Sequence, residues 1–311
     1  MELSDLRLFV ITTRHASLQA AAEEACVTPS ALSRLIRRLE DDLRTPLYDR
    51  VGKSLLLNAA GERLRTRALA LLQLADETRS EFAGTGGTAH CRLAAPPMLQ
   101  WRYGPAILAQ LNALQPAGSA SFKPLYEEAA LQALQRGEVD FALVTGYVLD
   151  GAAGTLPGAD ITAIPLGEIS MQLAASPEHP LWRASQGGRV STAQVLVQDF
   201  ACPSHSLLCG VNRGSRSDGW RDDQLPRRIR YWVDDLQVLL TLVRQGTALA
   251  YLPDFALTEP GLVRLEVTDC PYTCTETSYL LWRPSAASGW QHRLAEAMAT
   301  SATGEGSQTS R

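Results

Sequence analysis

The chain has 311 residues, 45% of them hydrophobic and 20% charged, and its 29 Lys/Arg against 33 Asp/Glu give a net charge of −4. No uninterrupted apolar run reaches 18 residues, so the composition describes an ordinary globular chain long enough for two or three domains and excludes collagenous, disordered and helical membrane classes. A net acidic body is a poor nucleic-acid partner as a whole, which makes the distribution of charge by segment the informative quantity.

Residues 1–80 hold 12 basic and 11 acidic side chains, net +1, leaving −5 for the remainder; between Arg34 and Arg67 nine basic residues face five acidic ones. The N-terminus lacks the basic region, apolar run and small-residue cleavage site of an export signal, so a cytoplasmic protein is expected. Its six cysteines are then expected to be reduced thiols.

Leu6, Phe9, Val10 and Thr13 recur at i, i+3, i+4, i+7 behind Ser4, a candidate N-cap, and predict a first amphipathic helix. Ser17 caps a second, whose Leu18, Ala21, Ala22 and Ala25 form a narrow small-residue face. After a break at Cys26-Val27, Thr28 and Pro29 open a third helix as N-cap and N1. Its apolar stripe is Leu32, Leu35, Ile36, Leu39 and Leu43, with Ser30, Ser33, Arg34, Arg37 and Arg38 turned away from it. Small polar residues at the start of a short helix, with arginines behind, suit base reading plus phosphate anchoring in a major groove. Leu47–Arg50 and Ser54–Leu57 read as strands of a hairpin whose tip brings Arg50 and Lys53 to phosphate. The candidate DNA contacts are Thr28, Ser30, Ser33, Arg34, Arg37, Arg38, Arg50 and Lys53, on a winged helix-turn-helix over residues 1–58.

From Ala59 to Phe82 there is no proline, and Leu64, Ala68, Leu71, Ala75, Thr78 and Phe82 step by 4, 3, 4, 3, 4, the a/d seam of a dimerising helix over 59–83. Residues 84–90 begin with Gly84-Thr85-Gly86-Gly87-Thr88, a hinge by composition. Strand-like and helical runs then alternate: Cys91–Ala95, Tyr103–Leu114, Ser119–Phe122, Glu127–Gln135, Phe141–Val144, a βαβαβ rhythm that predicts a parallel sheet covered by helices. Further strands are expected at Ile169–Ala175, Arg228–Val233, Ala248–Leu252 and Tyr279–Trp282, helices at Asp234–Arg244 and Trp290–Ala299, and a disordered tail at 301–311.

The N-terminal residues resemble the LysR-type transcriptional regulators. The matching text is Leu6-x2-Phe9, Ser17-Leu18-x2-Ala21-Ala22, Ser30-Ala31-Leu32-Ser33-Arg34-x-Ile36-x2-Leu39-Glu40-x2-Leu43, Pro46-Leu47-Tyr48-x-Arg50 and Leu57-x2-Ala60-Gly61. Pro29-Ser30 stands where many members carry Gln-Pro, Arg44 replaces a frequent glycine, and Asn58, which replaces a usual threonine, can still cap the next helix. The resemblance continues through Leu131-x2-Leu134-x2-Gly137-Glu138-x-Asp140-x-Ala142-Leu143-Val144, His179-Pro180-Leu181, Leu242-Val243-x2-Gly246-x2-Leu249-Ala250-x-Leu252-Pro253 and Leu262-Val263-x-Leu265. It implies an α/β effector-binding domain over 91–300, similar to periplasmic binding proteins. Its two subdomains would cover about 91–165 with 264–300, and about 166–263. It also implies double-stranded DNA with a dyad-symmetric site, self-association as a dimer or tetramer, and a small-molecule effector as partners.

Open α/β sheets bind ligands beyond the carboxyl ends of their strands, which places candidate effector contacts at Pro97, Met98, Leu99, Thr145, Tyr147, Cys202, Pro203 and Ser204. Pro96-Pro97-Met98 lacks the hydroxyl that many members offer a carboxylate ligand, which weakens the expectation of an anionic effector. Cys202-x2-His205-x3-Cys209 admits three readings: ordinary thiols, a redox pair, or three zinc ligands wanting a fourth. No nucleophile elbow, dinucleotide fingerprint, P-loop or H-E-x-x-H motif is present, so neither catalysis nor a cofactor is expected, an enzyme with an appended DNA-binding domain being the remote alternative.

Overall fold

The computed structural model describes residues 1–15, 17–51, 54–82, 89–149, 160–211 and 218–305. The first helix, α1 (Leu3–Thr12), starts earlier than Ser4 would dictate, because Glu2 is its N-cap and forms a capping box with Asp5. Ser17 caps α2 (Leu18–Glu24) by accepting from Ala20 N, and Thr28 caps α3 (Pro29–Leu43) by accepting from Ala31 N, both as expected. The α3 stripe Leu32, Leu35, Ile36 and Leu39 is buried, whereas Leu43 is 38% exposed. Leu35, Ile36 and Leu39 join Leu6, Phe9, Val10 and Leu47 in one core, while Leu32 packs with Ala21 and Ala22 of α2. The small alanines let the two helices of the motif approach closely.

The wing is the antiparallel pair β1 (Tyr48–Val51) and β2 (Ser54–Leu57). Asn58 then caps α4 (Ala59–Phe82), its Oδ1 accepting from Ala60 N at 2.9 Å and Gly61 N at 3.0 Å. Gly61 sits where a Cβ would collide with Leu47 O and Leu57 Cδ1, so only glycine lets the helix start against the wing.

The expected a/d seam divides. Ala68 is fully buried and Leu64 packs beside it, but against the core of their own head, together with Leu72. Leu71 (42%) and Leu74 (58%) stay exposed. The four-three spacing of a dimer seam is also the spacing of a helix packed on its own domain, so the N-terminal half of α4 serves the head and its outward face is shorter than expected. The glycine hinge at 84–88 lies outside the described residues, and of the remaining two hinge positions Ala89 is buried and His90 already begins a strand.

The second part opens with β3 (His90–Ala95), α5 (Pro97–Leu114), β4 (Ser119–Pro124), α6 (Glu127–Gln135), β5 (Phe141–Thr145) and the single turn α7 (Gly146–Leu149). β3 pairs with both β4 and β5 in parallel, the expected βαβαβ unit. Gly137, at φ +69°, takes the left-handed position after α6 that any residue with a Cβ adopts at a cost.

Then follow β6 (Thr162–Ala175), α8 (Pro180–Ala184), β7 (Arg189–Val190), α9 (Thr192–Leu196), β8 (Asp199–Cys202), β9 (Arg228–Trp232), α10 (Leu236–Arg244), β10 (Ala250–Pro253), β11 (Val263–Val267), β12 (Thr275–Trp282) and α11 (Gly289–Glu305). α11 runs five residues into the stretch expected to be a disordered tail.

The strand order β4-β3-β5-β12-β6-β11-β7 makes β6 the spine of the domain. Its Thr162–Ser170 half pairs antiparallel with β12 in the first subdomain. Its Met171–Ala175 end pairs with β10 and β11 in the second. The chain therefore crosses out within β6 and returns only after Val267, so β11 belongs to the second subdomain rather than opening the return at 264 as expected.

Candidate functional site

In the head, Thr28 Oγ1 lies 3.1 Å from Ser30 Oγ, so the cap and the first helical hydroxyl form one polar tip at the N-terminus of α3. Thr28, Ser30, Arg34 and Arg37 are exposed and Ser33 is half-buried. The 15-residue helix is roughly 22 Å long, enough to lie in a groove while Arg34 and Arg37 flank its open face.

Arg38, whose side chain is 59% exposed, has a structural partner as well. Its guanidinium forms an ion pair with Asp5 of α1, whose side chain is 7% exposed, and so holds two helices together. Glu40 Oε1 accepts from Leu47 N at 2.8 Å and fixes the wing to the end of α3. Thr12 Oγ1 and Tyr48 OH meet at 2.6 Å, and burial pushes the Tyr48 phenol up to about 12, so it remains a neutral hydrogen-bonding group. Arg50 stands opposite Leu55 in the hairpin register; its side chain, and Lys53 altogether, lie outside the described residues.

In the second part, Pro97 and Met98 line a cleft of about 610 Å³ between the start of α5 and the start of α10, together with Trp101, Tyr126, Asp234 and Asp235. Ser204 reaches the same cleft indirectly: its N and Oγ donate to Asp234 at 2.7 and 2.5 Å, and the Ser204 hydroxyl holds that carboxyl below its usual range. Arg244, also on the lining, is paired with Glu259 at 3.3 Å. Asp234 and Asp235 consequently outweigh it, and the cleft carries an excess of negative charge.

The other expected contacts are placed differently. Leu99 is wholly buried in the core beneath α5. Thr145 is also buried, and its N donates to Glu127 Oε1 at 2.6 Å. Tyr147 lines neither this cleft nor the cavity described next. Pro203 lines a separate cavity of about 490 Å³ at the crossover strands. Cys202 lies under that cavity, 0% exposed, with its Sγ 3.4 Å from Asp218 Oδ2.

Asp218 and Arg227 form a buried ion pair at 2.7 Å, which Asp222 joins at 2.7 Å. Burial opposes the Arg227 charge, but the two carboxylates more than offset this and hold the guanidinium above its ordinary range. Sequence spacing gives no sign of this network, because Asp218, Asp222 and Arg227 read as ordinary loop charges. All six cysteines are free, and burial pushes the Cys209 thiol up, away from the thiolate needed for nucleophilic chemistry. Among the described residues no group of three His, Cys, Asp or Glu side chains converges to hold a metal, and His205 instead faces Ser204 and Asp234.

Residues 3–62 match the family model described as bacterial regulatory helix-turn-helix protein, lysR family, and residues 84–300 match the LysR substrate binding domain. The HTH-type transcriptional regulator DgdR of Burkholderia cepacia is 31% identical over 257 residues, 83% of this chain and 79% of that protein. The fold is shared with ArgP from Mycobacterium tuberculosis, at 19% identity and TM-score 0.67 over 96% of this chain and 97% of that one. It is shared also with full-length LysG from Corynebacterium glutamicum with its bound effector Arg, at 18% identity and TM-score 0.64 over 98% and 99%.

Proposed function

The chain belongs to the LysR family of DNA-binding transcription regulators, and we propose that α3 reads a dyad-symmetric duplex while a small molecule in the α5–α10 cleft sets how strongly it does so. The observation that carries this reading is the polar, basic outer face of α3, with Thr28 and Ser30 at its tip and Arg34 and Arg37 behind, on a helix whose opposite face is the core of the head. Arg50 and Lys53 of the wing anchor phosphate; Arg38 supports the helix from its side.

Two heads are brought to one site by self-association as a dimer or tetramer, with the exposed Leu71 and Leu74 of α4 in the contact. An effector enters between Pro97 and Met98 on one side and Asp234 and Asp235 on the other, with Ser204 behind Asp234. LysG, which shares the fold, has a bound effector, Arg, and this supports an effector-binding role for the second part of the chain. Because β6 is continuous across both subdomains, a ligand that favours one closure shifts their relative placement and hence the spacing of the heads. The protein acts by reversible binding rather than by turnover, and it works in the cytoplasm. Among the described residues no helix is long and apolar enough to cross a membrane.

The test is a titration of the full-length chain with labelled duplex at two salt concentrations. Affinity is expected to fall steeply as salt rises, as phosphate contacts require. Association that ignores salt overturns the reading.

A further inference from the structure

The wing is pinned at its root. Leu47 N donates to Glu40 Oε1 at 2.8 Å, and Leu47 O accepts from Asn58 N at 3.0 Å. One residue on, the Tyr48 ring rests edge-on against Phe9 of the head core, with centres 6.2 Å apart, and its hydroxyl lies 2.6 Å from Thr12 Oγ1 of α1. Thr12, 3% exposed, donates its own proton to Phe9 O at 2.6 Å, so Tyr48 is the donor of the pair and Thr12 the acceptor. Among the described residues this is the one side-chain hydrogen bond that runs from either wing strand to a helix.

We propose that Tyr48 is a positioning residue for DNA binding: its bond to Thr12 sets the angle of the wing and so keeps the basic side chains of the wing within reach of phosphate. This rests on the reading of Arg50 and Lys53 as phosphate contacts.

Leverage makes one bond sufficient. A two-stranded hairpin holds no fixed orientation by itself, so its angle is set by what it is bonded to. Val51, where β1 ends, lies three residues beyond Tyr48, roughly 10 Å along the strand. A swing of roughly 10° at the root then moves that end by about 2 Å, far more than the few tenths of an ångström over which a hydrogen bond to phosphate keeps its strength.

Tyr48→Phe isolates the effect. It keeps the ring against Phe9 and removes only the donor, while Thr12 keeps its bond to Phe9 O, so no buried donor loses its partner. Thr12→Val removes the same bond from the other side, and Thr12→Ser keeps the acceptor.

The test is fluorescence anisotropy of the full-length protein, over a potassium chloride series, with duplexes that the parent selects from a random-sequence pool. Tyr48→Phe and Thr12→Val are expected to bind about 3- to 10-fold more weakly, with a slope of log K against log salt shallower by about one phosphate contact. Thr12→Ser should bind as the parent does. In an Arg50→Ala/Lys53→Ala background Tyr48→Phe should change nothing further, because its effect runs through those two side chains. Parent-like binding by Tyr48→Phe and Thr12→Val overturns the proposal. A Tyr48→Phe loss of equal size in both backgrounds, or weaker binding at an unchanged slope, overturns it too and leaves the wing reading standing. Parent-like affinity and slope in Arg50→Ala/Lys53→Ala removes the wing reading itself, and the proposal with it.

Discussion

Arg38 of α3 is held by Asp5 of α1, so one of the three arginines on the outer face of α3 also belongs to the architecture of the head. Removing it strands a carboxylate that is 7% exposed and that also accepts from Glu2 N at 3.2 Å. Arg38→Ala should therefore destabilise the head by roughly 1–3 kcal/mol. Arg37→Ala, on the same face without such an anchor, should stay within about 0.5 kcal/mol of the parent. Urea unfolding of both variants checks the contrast, and equal midpoints would remove the structural role from Arg38.

Arg44 caps the C-terminus of α3 at φ +49°, in the left-handed region. A Cβ there costs on the order of 1 kcal/mol. Arg44→Gly should recover about that amount, read as a higher urea midpoint at unchanged slope. A lower midpoint would mean that the arginine side chain contributes more than its backbone costs.

Gly61 allows α4 to begin against Leu47 and Leu57. Gly61→Ala forces the helix start away from the wing and should cost roughly 1–3 kcal/mol, despite the better helix propensity of alanine. Thermal melting of the variant is the check. A gain in stability would mean that the wing moves aside freely.

His179 caps α8 through Nδ1, which accepts from Leu181 N at 3.1 Å, and burial holds its pKa below the ordinary 6.5. The unfolded chain therefore binds the proton more readily than the folded one. This contribution to stability is complete above pH 6.5 and is lost as pH falls from there through the lowered value. His179→Asn keeps a capping oxygen without the titration, so the drop in urea midpoint between pH 7.5 and 5.5 should be smaller in the variant. The same drop in both would assign the pH dependence to other groups.

How much of this was legible in the sequence follows from the range of each interaction. Ser17, Thr28 and Asn58 are found as caps because a cap and the N–H that donates to it lie within three residues. The α3 stripe is found because a helix repeats its face every turn. The partnership of Arg38 with Asp5 spans 33 positions and leaves no local trace. Leu72 and Ala68 follow a spacing common to dimer seams and domain cores, and only the packed structure separates the two. The start of β6 was missed because Pro165 and Gly167 interrupt its pattern where its register against β12 shifts. The linings of the two cavities were only partly legible, because they are assembled from Pro97, Met171, Asp218, Asp234 and Glu276, segments joined by topology rather than by spacing.

The central claim is that the outer face of α3 reads DNA, and Arg34 is its most direct test. Duplexes selected by the full-length protein from a random pool should carry a dyad-symmetric site, and Arg34→Ala should bind that site about 10- to 100-fold more weakly in fluorescence anisotropy. Its melting temperature should be unchanged, because Arg34 is exposed and outside the core of the head. Equal affinity of Arg34→Ala and the parent for the selected site would contradict the account.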